Sequence, residues 1–217
     1  MERGEILEKR IIVVFHGGKE FCPVPSPDTV ERYRSICDIG ADAVIGCHTH
    51  CPQGFEIYNG KPIVYSMGNF LFKSRIPRNE NDSWYYGYMS MLDICDGIKL
   101  HVIPYRFNID ATEIKVFEGN DYDKIMAYLS RLSGITGNEA ELASYFNGWA
   151  LNHKWCPKLT GDFCNLENYD APANYNLVKC ESHLSQLKTL LSVLYHDRIK
   201  ETKLWAEKVK ELQQIHL

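Results

Sequence analysis

The chain has 217 residues, 45% of them hydrophobic and 24% charged, with a formal net charge of −4. That length suits one domain, or two small ones, and buries roughly 70% of the unfolded surface, enough for a core without staples. The acidic balance and the lack of a long basic run argue against nucleic acid or an anionic membrane as the main partner, and no apolar stretch approaches the roughly 20 residues of a membrane span.

Residues 10–15, RIIVVF, form a short β-branched apolar run expected to be a buried strand that ends at His16-Gly17-Gly18. A Pro-rich loop (CPVPSP) leads into a predicted helix with Pro27 in its first turn and Asp28 and Glu31 near its N-terminus. Val30, Tyr33, Ile36 and Cys37 share one face of it, and Gly40 suits its C-terminal cap. DAVIG (42–46) reads as a second buried strand. Strand, helix, strand in this span is a βαβ unit, so the two strands are expected to be parallel. Asn59-Gly60, between two β-prone runs, predicts a two-residue hairpin. FKSRIPRNENDS (72–83) reads as a mobile polar loop, and a further hairpin turns at Asp96-Gly97. From about residue 121 the character is helical. Leu184, Leu187, Leu191 and Leu194 recur at 3,4,3 spacing, and Trp205, Val209 and Leu212 continue an apolar stripe. The fold class expected is α/β, a partial sheet with a βαβ unit and hairpins over residues 1–110, followed by a mostly helical extension over 111–217.

The eight cysteines are scattered in a chain that has no need of disulfides, which favours reduced thiols and a cytoplasmic location. The chemistry concentrates in two loops. His16 follows the first strand, and His48 and His50 follow the second in GCHTHC. Parallel strands send both loops off the same sheet edge, where open α/β sheets place their ligands. Three imidazoles there suit Zn, Mn, Fe, Ni or Co; the bland alternative is ordinary hydrogen-bonded loop histidines. Cys47 and Cys51 have the spacing of half a structural zinc site, but no matching second half follows. Asn69, in MGNF, could bring an amide to the same region or be plain turn chemistry. Glu20 is either a ligand-orienting carboxylate or a solvated one. His101, His153, His183, His196 and His216 sit in contexts that require no function. The tyrosines and tryptophans between Trp84 and Trp155 read either as core or as a binding surface.

The segments VVFHGGKEF and GADAVIGCHTHCPQGFEIYNGKPIVYSMGNFLF closely resemble the C-terminal half of the CapA family of bacterial capsule and poly-gamma-glutamate synthesis proteins. The resemblance is strong over residues 12–72 and faint to about 107. It implies a calcineurin-like metallophosphoesterase fold. It also implies metal ligation by His16, His48 and His50, with His16 and His48 on one ion of a two-metal site and in catalytic roles, and His50 on the other. Cys47, Thr49 and Gly17 stand where the family has His, Pro and Trp; none of these removes an implied ligand. The implied cofactor is a divalent metal (Mn, Zn or Fe), and the implied substrate an anionic polymer or a phosphoester. The family's remaining ligands lie upstream of these motifs. The expectation is therefore a truncated family member that holds metal weakly or not at all and works with an upstream half or as a homo-oligomer. A non-catalytic domain binding a polymer or partner, and a small zinc-stabilised module built on GCHTHC, are the competing readings.

Overall fold

The computed structural model describes residues 9–95, 97–152, 175 and 179–217. Strands β1 (Ile12–His16), β2 (Ala43–Cys47), β3 (Phe55–Tyr58) and β4 (Lys61–Val64) form a sheet of order β1-β2-β4-β3. β1, β2 and β4 run parallel, and β3 pairs antiparallel with β4. Helix α1 (Pro27–Asp38) is the expected crossover, burying Val30, Tyr33 and Cys37. Gly40 follows it at φ +124°, where a side chain would be strained. The tight turn between β3 and β4 is made by Asn59 (φ +50°) and Gly60 (φ +80°), the two positive angles that a type I′ hairpin demands.

β5 (Tyr86–Cys95), β6 (Gly97–Phe107) and β7 (Ile114–Val116) form a second, antiparallel sheet. The β5–β6 hairpin was expected, but its turn residue Asp96 lies outside the described residues, and β7 has no clear sequence signal. Helices α2 (Gly119–Gly137), α3 (Glu139–Asn152), α4 (Glu181–Tyr195) and α5 (Ile199–Leu212) make the C-terminal part helical. The larger core cluster joins Tyr33, Val44, Ile45, Ile63 and Tyr65 to Leu129 and Leu132 of α2, Trp149 of α3 and Leu212 of α5. α3 crosses α5 closely at Gly148, where a Cβ would sit 2.5 Å from the Trp205 carbonyl carbon. Among the described residues no helix is long and apolar enough to cross a membrane.

Two expectations need correction. β1 is not buried on both faces: it is an edge strand, and Ile12 and Val14 are exposed while Val13 and Phe15 pack inward. The apolar run looked like an interior strand because composition does not say which strand lies at the sheet edge. In α4, Leu191 and Leu194 are about half exposed, and the buried residues are Gln186 and Val193. The helix is rotated away from its leucine stripe. In α5, Val209 and Leu212 are buried as expected.

Candidate metal centre

Register builds the site. β1 and β2 pair so that His16 stands opposite Cys47, which brings the HGGKE loop against GCHTHC at the carboxyl edge. Backbone bonds from Gly17 to the Cys47 carbonyl and from Phe21 to the Thr49 carbonyl, 3.0 and 2.8 Å, zip the two loops together. Thr49 is buried, its hydroxyl donating to the Cys51 carbonyl at 2.8 Å and lying 2.9 Å from Ser66 Oγ. With Thr49 turned inward, His48 and His50 are turned outward. Both are held at positive φ, +115° and +61°, a sparsely populated conformation for a side chain of this kind that collects at functional sites.

His16 Nε2 lies 3.1 Å from His48 Nδ1. The remaining nitrogen of each ring is engaged elsewhere. Cys47 donates its thiol toward the Phe15 carbonyl at 3.7 Å, which leaves sulfur free to accept from His16 Nδ1 at 3.4 Å. His48 Nε2 faces Glu20 Oε1 at 3.7 Å. Burial, opposed by Glu20 and reinforced by the neighbouring His16 and His50, holds the His48 pKa below the usual imidazole value, so the neutral ring dominates at neutral pH.

His50 is handled differently. Asn69 is buried and its Nδ2 donates to the His50 and Trp84 carbonyls at 3.2 and 3.1 Å, which orients its Oδ1 to accept from His50 Nδ1 at 2.8 Å. The proton is thereby placed on Nδ1, leaving the Nε2 lone pair free. The ring stacks on Trp84 (centroids 5.0 Å) and Phe21 (5.8 Å), and its centroid is 6.1 Å from that of His48.

Two nitrogens 3.1 Å apart subtend roughly 100° at an ion with the 2.0–2.1 Å bonds of imidazole ligation. The separation of His16 Nε2 and His48 Nδ1 therefore suits one shared cation once the rings turn from each other toward it, with Cys47 and Glu20 beside their outer nitrogens. The three histidines do not meet at a point. Among the described residues no group of three His, Cys, Asp or Glu side chains is arranged around a single ion.

Sequence reasoning placed both loops, and left Glu20 and Asn69 open; here both contact a histidine. It weighed Cys47 as half of a zinc site and as the counterpart of a family histidine, and did not anticipate it as a partner of His16. Cys51 points elsewhere, buried against the Cys22 carbonyl at 3.1 Å, and Cys22, Cys37, Cys47, Cys51 and Cys180 are free thiols. The aromatic residues past Trp84 are mostly core: Tyr85, Tyr86, Tyr88, Tyr105, Tyr145 and Trp149 are all buried. His153 and Trp155 lie outside the described residues.

Comparison with known proteins gives the same region. Residues 4–74 match the family model for bacterial capsule synthesis protein PGA_cap. The PGA biosynthesis protein CapA of Bacillus subtilis (strain 168) is 39% identical over 62 residues, covering 29% of this chain and 16% of that protein. The capsule biosynthesis protein CapA of Bacillus anthracis is 34% identical over 73 residues, 34% of this chain and 18% of the relative. A probable polyglutamine synthesis accessory protein of Mycobacterium tuberculosis (strain CDC 1551 / Oshkosh) is 37% identical over 60 residues, 28% of this chain and 16% of the relative. The chain thus spans under a fifth of the length of these relatives. The segment that carries both histidine loops is the part of this chain that is similar to the bacterial capsule synthesis protein PGA_cap family and to these relatives.

Proposed function

We propose that this protein serves capsule or poly-gamma-glutamate synthesis through a metallophosphoesterase-like edge at which His16 and His48 hold one divalent cation, Mn, Zn or Fe. One observation carries the reading: His16 Nε2 and His48 Nδ1 lie 3.1 Å apart, close enough to share one ion, while the other nitrogen of each ring faces Cys47 or Glu20 and His50 is held by Asn69. Loop histidines in general hydrogen-bonding roles have no reason to share that arrangement. A cation bound there would polarise a phosphoryl or carbonyl oxygen and lower the pKa of a coordinated water. Cys47 and Glu20 stand beside the outer nitrogens of His16 and His48, Glu20 Oε1 at 3.7 Å from His48 Nε2, and Asn69 holds His50 one ring away, where it would serve a neighbouring ion.

Carboxylates limit the chemistry. Two cations side by side need anionic ligands, one of them bridging, and among the described residues the carboxylate in contact with the histidines is Glu20, half exposed. Weak binding of one cation with little hydrolysis is therefore the expected behaviour of this chain. The alternative is a non-catalytic module that uses the same edge to hold an anionic polymer or a partner, such as an upstream half or a second copy.

The test is metal binding by equilibrium dialysis with Mn and Zn, beside hydrolysis of a generic phosphodiester. One ion per chain, with affinity reduced at least tenfold in His16→Ala and in His48→Ala, supports the reading. Binding that neither substitution changes rules out the site. Robust turnover abolished by His48→Ala would show the single-cation limit to be wrong.

A further inference from the structure

The leucine pattern of α4 calls for leucines in the core, yet the residue buried in its first half is polar. Gln186 is 2% exposed, while Leu191 and Leu194 are about half exposed. The buried Nε2 of Gln186 has no hydrogen-bond partner, and neither has the buried Nδ1 of His183, three residues earlier on the same face. Both side chains line a cavity of about 300 Å³ between α4, Trp149 of α3 and the loop that carries Glu20 and Phe21. A helix that turns an amide inward and leaves leucines in water gives up apolar burial, and a buried donor without an acceptor adds a desolvation penalty. Water in the cavity would satisfy both atoms, but an apolar residue at position 186 would need none. Local rules broken at such a cost mark functional sites.

We propose that Gln186 and His183 anchor a binding site for an uncharged ring that carries a carbonyl or hydroxyl oxygen. The wall selects the class. The amide Nε2 of Gln186 is a donor only, so its partner must be an acceptor, which an ammonium group cannot be. Among the described residues no Lys or Arg lines the cavity, and Glu20 does, so an anion would meet a like charge with no cation to offset it. A neutral oxygen meets both conditions. Phe21 and Trp149 supply apolar wall, and the volume stands at the lower end of the roughly 300–1,000 Å³ of small-molecule sites, enough for one ring. The anchoring residues lie outside residues 4–74, which match the family model, and the site needs no metal, so it stands apart from the functional reading above.

The experiment is a ligand-observed NMR titration of the full chain in the presence of a chelator, so that failure of the metal reading cannot affect it. The probes are uracil, a ring with carbonyls; methyl β-D-glucoside, a ring with hydroxyls; and benzoate and benzylammonium, rings of either charge. The tighter of the two neutral rings is expected to bind at least tenfold better than either charged ring, and its identity tells which oxygen the site takes. Gln186→Leu, close in volume, should abolish that binding and raise the denaturation midpoint of the free protein, because it removes an unpaired donor; an amide held for the fold alone would give the opposite shift. A neutral-ring preference below tenfold, no saturable binding of either neutral ring, or binding that survives Gln186→Leu overturns the proposal. A midpoint that does not rise, or a variant that fails to fold, shows the amide to be satisfied by the fold and overturns it as well. The ranking of the four probes on the unaltered chain decides without any variant.

Discussion

The two sides of the GCHTHC loop are built on different plans. His16 and His48 face cavities and charged groups, each held by one or two long contacts. His50, two residues on, is enclosed by Trp84, Phe21 and Phe72, and Asn69 grips both its ring and its carbonyl. The enclosure has further backing: Arg78 stacks over Trp84 at 4.5 Å while pairing with Asp82 at 3.0 Å, so the end of the expected mobile loop is tied to the cage. The contrast teaches how one loop can combine a fixed element with an adaptable one. A caged ring keeps its orientation whatever binds. The open pair now directs its nitrogens at each other and must turn them toward any ligand it takes.

The most severe way to break the comparison is to remove the ground both sides share. A Cβ on Gly46 would stand 2.2 Å from the Tyr65 carbonyl oxygen and 2.8 Å from Tyr33 Oη, inside the sheet. Gly46→Ala is expected to cost more than about 3 kcal/mol, seen as a collapse of the denaturation midpoint or loss of soluble protein. Both sides of the loop should fail together.

Asn69→Leu attacks the caged side alone. It leaves the His50 and Trp84 carbonyls and His50 Nδ1 without their partner, an expected loss of about 2–3 kcal/mol in chemical denaturation. The His50 ring resonances should broaden while the His16–His48 pair stays in place. A loss below about 0.5 kcal/mol would show that the cage does not depend on Asn69.

The open side is sharpened by replacing His48 in two ways. At φ +115° an alanine keeps the strain and a glycine relieves it. His48→Gly should therefore be more stable than His48→Ala by about 1–2 kcal/mol. Equal stabilities would mean that the loop relaxes once the ring is gone.

The smallest effect is a pH dependence placed outside both sides. Burial pushes the Glu56 pKa up, but hydrogen bonds from Arg34 (2.7 and 2.9 Å) and Tyr65, with the Arg34 charge, bring it below the usual value of 4.5. The folded state therefore holds its proton less tightly than the unfolded state. The stabilisation is full above pH 4.5 and is lost as pH falls through the depressed folded value. Because Arg34 is a third exposed, the amplitude should be about 1 kcal/mol after allowing for screening. It should vanish in Glu56→Gln during an acid titration of stability. Tyr65 stacks on Tyr33 beneath Gly46, so the same scan reads the support under the histidine loop without touching either side of it.

Much of the site was legible because it is local or follows from one pairing rule. The run of small and β-branched residues in DAVIG, the capped α1 and the Asn59-Gly60 turn each carry their own signal, and the parallel pairing of β1 with β2 brings His16 to His48. The edge exposure of β1 and the rotation of α4 were not legible. Both depend on what packs against an apolar surface, and the apolar pattern is the same whether a neighbour is present or not.

The sequence by itself determined which residue types stand at the carboxyl edge: a histidine after each of two parallel strands, a second histidine on the same loop, and the capsule-synthesis signature around them. Only the tertiary structure decided what each of them can do. Cys47, Glu20 and Asn69 each stand against one nitrogen of a ring, which turns His16 Nε2 and His48 Nδ1 toward each other, and α4, with Ser182 about 130 positions beyond His48 in the chain, lines a cavity beside the buried Lys19. Lone-pair direction and desolvation arise from the placement of neighbours in space, and the spacing of these residues along the chain does not encode that placement.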